Sequence, residues 1–537
     1  MSIEHLDVLI IGAGLSGIGA ACHLKRLCPD KRLAILEARE AMGGTWDLFR
    51  YPGIRSDSDM YTLGYNFKPW RDAQAIADGA SIRRYIEETA AEHAVDRLIR
   101  YRHKVLQANW CSADATWQLL VQRGDEAEPL RMRCQFLMMC TGYYRYEAGY
   151  TPEFAGREAY QGTFIHPQQW PEGFDHSGKR VLVIGSGATA VTLVPALAER
   201  AAQVTMLQRS PSYVINLPQR DALSNALRRV LPEKWVYRLA RGRNVTLQLV
   251  FYKLAKRFPN LVRRILLGLV RRQLGEQVDL RHFSPRYKPW DQRVCAVPDG
   301  DLFRVLLQGK AQVVTAEIEC FTAHGIRLKS GEELTADVIV SATGLQLQLF
   351  GGIEVQVDGV PFQASLSMGY RGIMLRDLPN LAVVMGYTNA SWTLKADLSS
   401  EYFCRLIRHL DAIGMRQVTR VIAQATSALS LFSTCSQVIS SGPCTCCQPR
   451  VTACRGSCIR TTCSTWCSCA TASWRMTIWC SLRLGASRTW RWCSLERSNA
   501  MAKFLHGKAS TRRLLFWHSA TTLSPIASRM NNQVPGT

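Results

Sequence analysis

The sequence predicts an α/β protein with two Rossmann-like dinucleotide-binding domains, the first of them split around the second. Two observations support this prediction. A glycine-rich turn follows each of the apolar runs at residues 8–11 and 181–184, and each turn opens a helix-like stretch rich in small residues. Strand, tight turn and helix in this order form the phosphate-binding unit of a dinucleotide domain. One such turn is weak evidence, but two in full context are specific.

The first turn reads GAGLSG and places Gly12, Gly14 and Gly17 at its three small positions. These glycines allow the tight turn, the close approach of a pyrophosphate and the packing of helix on strand. Glu37 follows Gly17 by 20 residues, at the end of the apolar run 33–36. A carboxylate accepts hydrogen bonds from ribose hydroxyls and repels a 2′-phosphate, so this half is predicted to bind FAD.

The second turn predicts a different nucleotide. It consists of Gly185, Ser186, Gly187, Ala188, Thr189 and Ala190. The next apolar run, 204–207, ends in Gln208, Arg209 and Ser210 instead of an acid. A guanidinium and a hydroxyl suit the 2′-phosphate of NADPH, which an acid would reject.

Length and composition set broader limits. A chain of 537 residues with 47% hydrophobic residues is long enough for two or three domains with ordinary cores. The first strand carries Asp7 and lacks a basic leader, and no apolar run reaches spanning length. We therefore expect a cytoplasmic protein, with membrane association left open.

The net charge of +23 is uneven, because residues 421–537 contain 13 Lys/Arg and a single acid, Glu496. Eleven of the 19 cysteines also fall in this tail, but Cys444, Cys446 and Cys447, or Cys463, Cys467 and Cys469, lack the paired spacing of a zinc module. No metal site is therefore expected. The preferred interpretation is that the tail is read out of frame from near Val421 and is disordered. Resequencing of the gene across this junction tests that hypothesis.

The segment between the two turns carries the most specific motif. Tyr160, Gly162, His166 and Trp170, followed by proline, resemble the FxGxxxHxxxW signature of type I Baeyer–Villiger monooxygenases, with Tyr in place of the leading Phe. The segments GGTWDLFRYPGIRSDSDMYTLG, KPWDQR and GYTNASWTLKADL extend the resemblance over roughly residues 1–420. No Cys-x-x-Cys pair follows the first turn, which disfavours a disulfide reductase.

The resemblance implies that NADPH reduces FAD, and that a C4a-peroxyflavin formed with O₂ oxidises ketones to esters. Thioamides or sulfides would be oxygenated as a side activity. Two alternatives stay open: a flavin-containing monooxygenase that oxygenates nitrogen or sulfur, and an inactive flavoprotein remnant with an altered C-terminus.

The resemblance also assigns roles to residues. It implies that Arg293 supplies the active-site cation and that Asp57 orients it. Gly162, His166 and Trp170 form the linker motif, in which His166 and Trp170 are expected to couple domain rotation to the state of the cofactors. The residues expected around FAD are Gly12, Gly14, Ser16, Gly17, Glu37, Gly44, Thr45, Trp46, Asp47, Leu48, Asp57 and Val105. Those expected around NADP are Arg55, Ser56, Gly185, Ser186, Gly187, Ala188, Thr189, Ala190, Gln208, Arg209 and Ser210.

The predicted domain order is an FAD domain at residues 1–145 and 331–420, and an NADP domain at 146–330 with a helical insertion near 220–280. Within the insertion, residues 245–273 hold seven Lys/Arg and no acid, with apolar residues at helical spacing. We expect this apolar stripe to pack inward, and peripheral membrane contact is the alternative. Nucleic acid is not expected as a partner, and the sequence does not determine the oligomeric state.

Overall fold

The structure is a computed structural model that describes residues 3–292, 294–387 and 389–419, together with the backbone of two strands at 480–484 and 487–491. Arg293 lies outside the described residues. The remainder of the 421–537 tail, with its cysteine triplets, also lies outside them. The strands are, in chain order, β1 (Glu4–Ile11), β2 (Leu33–Leu36), β3 (Ile99–Arg100), β4 (His103–Cys111), β5 (Thr116–Arg123), β6 (Leu130–Met139), β7 (Tyr144–Gly149), β8 (Thr163–Ile165), β9 (Arg180–Ile184), β10 (Gln203–Gln208), β11 (Tyr213–Leu217), β12 (Val294–Pro298), β13 (Ala311–Thr315), β14 (Ile318–Thr322), β15 (Gly325–Leu328), β16 (Glu333–Thr335), β17 (Val338–Ser341), β18 (Leu345–Leu347), β19 (Glu354–Val357), β20 (Val360–Pro361), β21 (Gly369–Tyr370), β22 (Met374–Leu375), β23 (Leu381–Val383), β24 (Cys480–Leu484) and β25 (Ser487–Arg491).

The α-helices are α1 (Leu15–Leu27), α2 (Thr45–Leu48), α3 (Met60–Leu63), α4 (Gly79–Glu92), α5 (Ala188–Leu197), α6 (Ala222–Leu227), α7 (Glu233–Arg257), α8 (Pro259–Leu274), α9 (Asp301–Leu307) and α10 (Trp392–Ala412). Short 3₁₀ turns occupy Asp96–Leu98, Arg157–Ala159, Pro167–Gln169, Leu280–Phe283, Leu349–Gly352 and Ala364–Leu366. In the part of the chain that the structure describes, no helix is long and apolar enough to cross a bilayer.

The first sheet is mixed and runs in the order β20-β19-β4-β5-β6-β1-β2-β3, with β23 also paired to β6. Its centre is parallel, and Ile10 of β1 lies between Ile35 of β2 and Met138 of β6. All three side chains are fully buried, as the continuous apolar runs of a covered parallel sheet require. Helices α1 and α10 pack against each other beside this sheet.

The second sheet is parallel, in the order β13-β10-β9-β17-β8. Helices α5 and α9 share a core cluster with its strands. The sequence places the end of this domain near residue 330, but β17 (Val338–Ser341) pairs with β9 and β8. Strand pairing therefore extends the second sheet past residue 330.

The chain passes between the two sheets twice. The buried strands β6 and β17 are followed by the turns Thr141-Gly142 and Thr343-Gly344. Beyond these turns, β7 and β18 pair antiparallel and form a two-stranded ribbon between the sheets.

The predicted helical insertion contains α6, α7 and α8. Helix α7 contacts the first domain, where the Tyr237 hydroxyl donates to the Tyr65 carbonyl at 2.8 Å and Arg241 donates to the carbonyls of Tyr61 and Gly64. On α8, one apolar stripe is buried, as we expected, through Val262, Leu266, Val270 and Leu274. A second apolar stripe is exposed, so the expectation of inward packing holds for only part of the insertion.

Candidate functional site

The first glycine turn joins β1 to α1, and its geometry excludes larger side chains. Gly12 has a φ of +100°, and a Cβ there would lie 2.7 Å from the Cys140 carbonyl oxygen. A Cβ on Gly17 would lie 1.8 Å from the Gly12 carbonyl oxygen. Gly14 precedes the first residue of α1 and leaves the helix N-terminus without a side-chain cap. This turn can bring a phosphate against backbone N–H groups.

Glu37 follows β2 and reaches back to this turn. One carboxylate oxygen accepts from the Ala13 N–H at 2.7 Å, and the other accepts from the Arg39 N–H at 3.0 Å. The side chain is buried, and each oxygen has further lone pairs. The structure thus holds an acceptor with free capacity beside the turn, where the sequence places it.

A second pair of glycines faces the first turn. Gly43 and Gly44 have φ of +112° and +57°, and Gly43 forms a parallel bridge with Gly14. They lead into α2, which holds Thr45, Trp46, Asp47 and Leu48. Asp47 is 2% exposed and lies between the guanidinium groups of Arg39 at 2.5 Å and Arg83 at 3.0 Å. Arg50 forms a third, longer ion pair at 3.6 Å, so the carboxylate organises three arginines.

Two aromatic residues near these turns carry no spacing signal in the sequence. The Trp392 indole N–H donates to the Ser16 hydroxyl at 2.7 Å, and the indole stacks on Tyr143 with centroids 5.3 Å apart. Burial raises the pKa of Tyr146, whose phenol is hydrogen-bonded to Thr45 and stays protonated at neutral pH. Trp392 could be found only through the GYTNASWTLKADL segment.

The turn at residues 51–57 packs against the second sheet's helices. A Cβ on Gly53 would lie 2.9 Å from the Thr192 carbonyl oxygen of α5, and Arg55 forms an ion pair with Asp301 of α9. Ser56 is buried and bonds to Ser58 within its own turn. Asp57 is exposed. Arg55 therefore already has a carboxylate partner at the position where the resemblance implies NADP.

Val105 lies in β4, opposite Val121 of β5. It is 5% exposed and belongs to the apolar core of the first sheet. The Val105 side chain therefore packs in the core. Only its backbone remains for a contact with a cofactor.

The second glycine turn joins β9 to α5. Gly185 has a φ of +139°, and a Cβ there would lie 2.4 Å from the Ala342 carbonyl oxygen. A Cβ on Gly187 would meet nothing within 4 Å, so space is open at the start of the helix. The Ser186 hydroxyl donates to the Ser210 carbonyl at 2.9 Å and ties the turn to the end of β10. The first residues of α5 are Ala188, Thr189 and Ala190, of which Ala190 is buried.

The residues that follow β10 divide into a buried one and exposed ones. Gln208 is 2% exposed, and its amide nitrogen donates to the His282 carbonyl at 2.7 Å and to the Thr315 hydroxyl at 2.9 Å. Arg209 is exposed and forms no hydrogen bond or ion pair with any other residue that the structure describes. The amide nitrogen is therefore committed to the protein, while the guanidinium is available to an anion.

The linker motif secures the ribbon between the two sheets. The His166 Nε2–H donates to the Gly344 carbonyl at 3.0 Å, and its Nδ1 accepts from the Gln168 N–H at 3.2 Å. Burial lowers the pKa of His166, so the imidazole is neutral at pH 7. A Cβ on Gly149 would lie 1.9 Å from the same ring, and one on Gly162 would lie 2.7 Å from the Asp337 carbonyl oxygen. Trp170 packs against the core of the second sheet.

Arg293 lies outside the described residues, although its neighbours are described. Lys256 of α7 donates to the Asp291 carboxylate at 2.7 Å and to the Trp290 carbonyl at 3.0 Å. Strand β12 begins at Val294, which pairs with Tyr213 of β11. Within the described residues, no group of three or more His, Cys, Asp or Glu side chains is placed to hold a metal ion.

Comparison with known proteins gives family matches over most of the described residues. A family of flavin-binding monooxygenase-like proteins matches residues 65–357, and an NAD(P)-binding Rossmann-like domain matches residues 10–74. The putative FAD-containing monooxygenase MymA of Mycobacterium tuberculosis is 54% identical over 425 residues, which are 78% of this chain and 86% of that protein. The FAD-containing monooxygenase EthA of the same organism is 55% identical over 417 residues, which are 77% of this chain and 85% of that protein.

Solved structures confirm the predicted fold class. An oxidised steroid monooxygenase bound to NADP has a TM-score of 0.65 at 23% identity and covers 78% of this chain and 88% of its own. An open form of cyclohexanone monooxygenase has a TM-score of 0.65 at 20% identity and covers 77% of this chain and 89% of its own. At this identity the likeness establishes the arrangement of domains only.

Proposed function

Because this chain belongs to the flavin-binding monooxygenase-like family, we propose that it uses FAD, NADPH and O₂ to oxidise ketones to esters. One oxygen atom of O₂ enters the bond between the carbonyl carbon and its neighbour, and the other leaves as water. NADPH and a proton supply the two electrons and hydrogens that this balance requires. The contrast between the two glycine turns, one beside Glu37 and the other beside Arg209, carries the proposal.

The first turn fits FAD. Gly12 and Gly17 leave no room for a Cβ, and Gly14 and Gly44 bring two backbones together at the N-terminus of α1. Glu37 has lone pairs left for ribose hydroxyls after its two backbone contacts. Ser16, in the first turn of α1, accepts a hydrogen bond from the Trp392 indole at the start of α10, so these two side chains fix the nearby wall.

The second turn fits NADPH. Open space at Gly187 adjoins the first N–H groups of α5, where a pyrophosphate is favoured by the helix dipole. Arg209 is exposed and forms no ion pair within the described part of the chain, so it offers a bidentate donor to the 2′-phosphate. Gln208 acts by positioning the end of β10, because its amide nitrogen already bonds to His282 and Thr315. Ser210 contributes its hydroxyl, since its carbonyl is used by Ser186.

Reduced flavin supplies the activation of O₂, and the protein must orient the reactants, stabilise negative charge and exclude water. We assign the stabilising cation to Arg293, because fixed charge in a dry site is usually the largest catalytic contribution. Asp57 is assigned the orientation of that cation. The contact of His166 with Gly344 holds the ribbon between the two sheets and so sets how the two nucleotide sites approach each other.

The test uses purified full-length protein loaded with FAD. NADPH consumption is followed with and without a linear methyl ketone, and the ester is identified by mass spectrometry. Ester formation should disappear in Arg293→Ala and persist in Arg286→Ala, which removes a neighbouring exposed arginine. Sulfoxide from a thioether without any ester would favour the sulfur-oxygenating alternative. NADPH oxidation that yields only hydrogen peroxide would favour the inactive flavoprotein remnant.

A further inference from the structure

Helices α7 and α8 carry an apolar row that the fold leaves exposed. Its members, called here the outer row, are Val250, Leu254, Phe258, Leu261, Ile265 and Leu269, each 44–56% exposed. They recur every three or four residues along each helix, so on each helix they share one face. The inward face of α8 is separate, because Val262, Leu266 and Val270 are buried. The outer row therefore does not contribute to the hydrophobic core.

The same segment is strongly basic. Residues 234–275 contain 11 Lys/Arg and no Asp or Glu. Arg241, Arg243 and Lys256 form ion pairs with carboxylates from elsewhere in the fold. The remaining charge is not neutralised in this way.

Five exposed basic residues that lie beside the outer row form no ion pair with any acid in the described part of the chain. They are Lys253, Arg257, Arg264, Arg271 and Arg272. Lys253 and Arg257 flank Leu254, and Arg264 precedes Ile265. Each turn of the outer row is thus bordered by a cation, the arrangement in which long basic side chains reach past an apolar stripe.

We propose that the outer row and its five flanking cations bind peripherally to an anionic lipid bilayer. Apolar side chains would enter the boundary between headgroups and acyl chains, and the cations would meet lipid phosphates. A second copy of this chain would bring like charges together. The 421–537 tail carries a net charge of +12 and is disfavoured as a cover for the same reason. A nucleic acid would satisfy the cations but leave the apolar row in water.

The proposal is tested by vesicle flotation of the purified full-length protein. Vesicles contain equal parts of phosphatidylglycerol and phosphatidylcholine, or phosphatidylcholine alone. We expect flotation with the anionic vesicles only, weakened at about 0.5 M salt because screening shortens the range of the cations. Each cation near the surface contributes about fivefold to partitioning. Arg264→Gln, Arg271→Gln and Arg272→Gln together should therefore weaken binding about 100-fold.

A second variant removes apolar contact without changing charge. Leu261→Asn with Ile265→Asn should weaken binding by about tenfold or more, because both side chains would otherwise leave water. Both positions are exposed, so the thermal unfolding midpoint should not change. The matched controls are Leu366→Asn, at an exposed site elsewhere, and the triple change Arg97→Gln, Arg131→Gln and Arg327→Gln, which has the same net charge.

Loss of binding in the helix variants, with the controls unchanged, supports the bilayer. Equal flotation with neutral vesicles, equal losses in the control triple, or no flotation at all would overturn the proposal. Self-association in sedimentation velocity that the Asn variant abolishes, without any vesicle binding, would identify a second copy as the occupant instead.

Discussion

Replacement of Arg209 by glutamine tests the assignment of the second nucleotide. Arg209 is exposed at the end of β10 and forms no hydrogen bond or ion pair with the described residues, so its removal should leave the fold intact. Besides an electrostatic attraction to the exposed Glu317, the interaction lost would be with the 2′-phosphate, which NAD lacks. The variant should therefore discriminate between two ligands that share every other group.

The size of the effect follows from the chemistry and the exposure. Hydrogen bonds to charged groups contribute about 1.5–3 kcal/mol. Each 1.4 kcal/mol is about tenfold in affinity, so Arg209→Gln should weaken NADP⁺ about 10- to 150-fold. Solvent screening at this exposed position favours the lower end, about 10- to 30-fold.

Titration calorimetry of the FAD-loaded protein with NADP⁺ and NAD⁺ measures this without turnover. We expect the dissociation constant for NADP⁺ to rise and that for NAD⁺ to stay within about twofold. Arg327→Gln, at an exposed arginine in β15, is the control and should change neither. Equal losses for both nucleotides, or an unchanged NADP⁺ affinity, would show that Arg209 does not recognise the 2′-phosphate.

Three further substitutions test contacts that the structure describes. Gly17→Ala places a Cβ 1.8 Å from the Gly12 carbonyl oxygen, so the turn must shift and FAD affinity should fall by at least about tenfold, measured as flavin absorbance per protein. His166 is partly buried and burial lowers its pKa, so its contribution to stability is present above about pH 6.5 and is lost as pH falls through the folded-state pKa; His166→Gln should remove this component of the unfolding free energy. Asp397→Ala leaves buried His23 and Arg241 without their carboxylate, and should lower the unfolding free energy by about 3–5 kcal/mol in urea titration.

Gly17→Ala has a matched control, and the other two changes each have an outcome that would contradict them. Gly242→Ala, on α7 where an added Cβ meets nothing, should keep its flavin and gain about 0.5–1 kcal/mol. If the unfolding free energy of His166→Gln kept the wild-type pH dependence, His166 would not be its source. An Asp397→Ala protein as stable as the wild type would show that solvent replaces the carboxylate.

Sequence alone could predict the two sheets because local rules determine them. The runs 8–11 and 181–184 become β1 and β9, and the Thr-Gly endings mark the points where the chain leaves each sheet. Glu37 also lies where its distance from Gly17 puts it, since a strand and a helix of ordinary length fix that distance. Such features depend on contacts close in sequence or on a repeated unit.

Other features could not be predicted, because they depend on partners far apart in the chain. Asp47 pairs with Arg83 from α4, and Arg55 pairs with Asp301 from α9, 246 residues away. Gln208 donates to the carbonyl of His282, which directly follows the helical insertion in the chain. No spacing in one sequence reveals these pairs, so residues that resemble cofactor ligands can be held by the protein instead.

The segment that follows α10 joins the first domain at β6. Asn380 is fully buried; its Oδ1 accepts from the Val418 N–H at 2.8 Å, and its Nδ2 donates to the carbonyls of Gln135 and Arg416. Val418 is 1% exposed and packs in the same core cluster as α1 and α10. Three hydrogen bonds from one buried amide thus join the edge of β6 to the segment after α10. Because Val418 already belongs to this core cluster, a change of reading frame from near Val421, as we propose, would begin beyond the last of its described members. Flavin retention would then survive a defect confined to the tail, whereas oxygenation could still be lost.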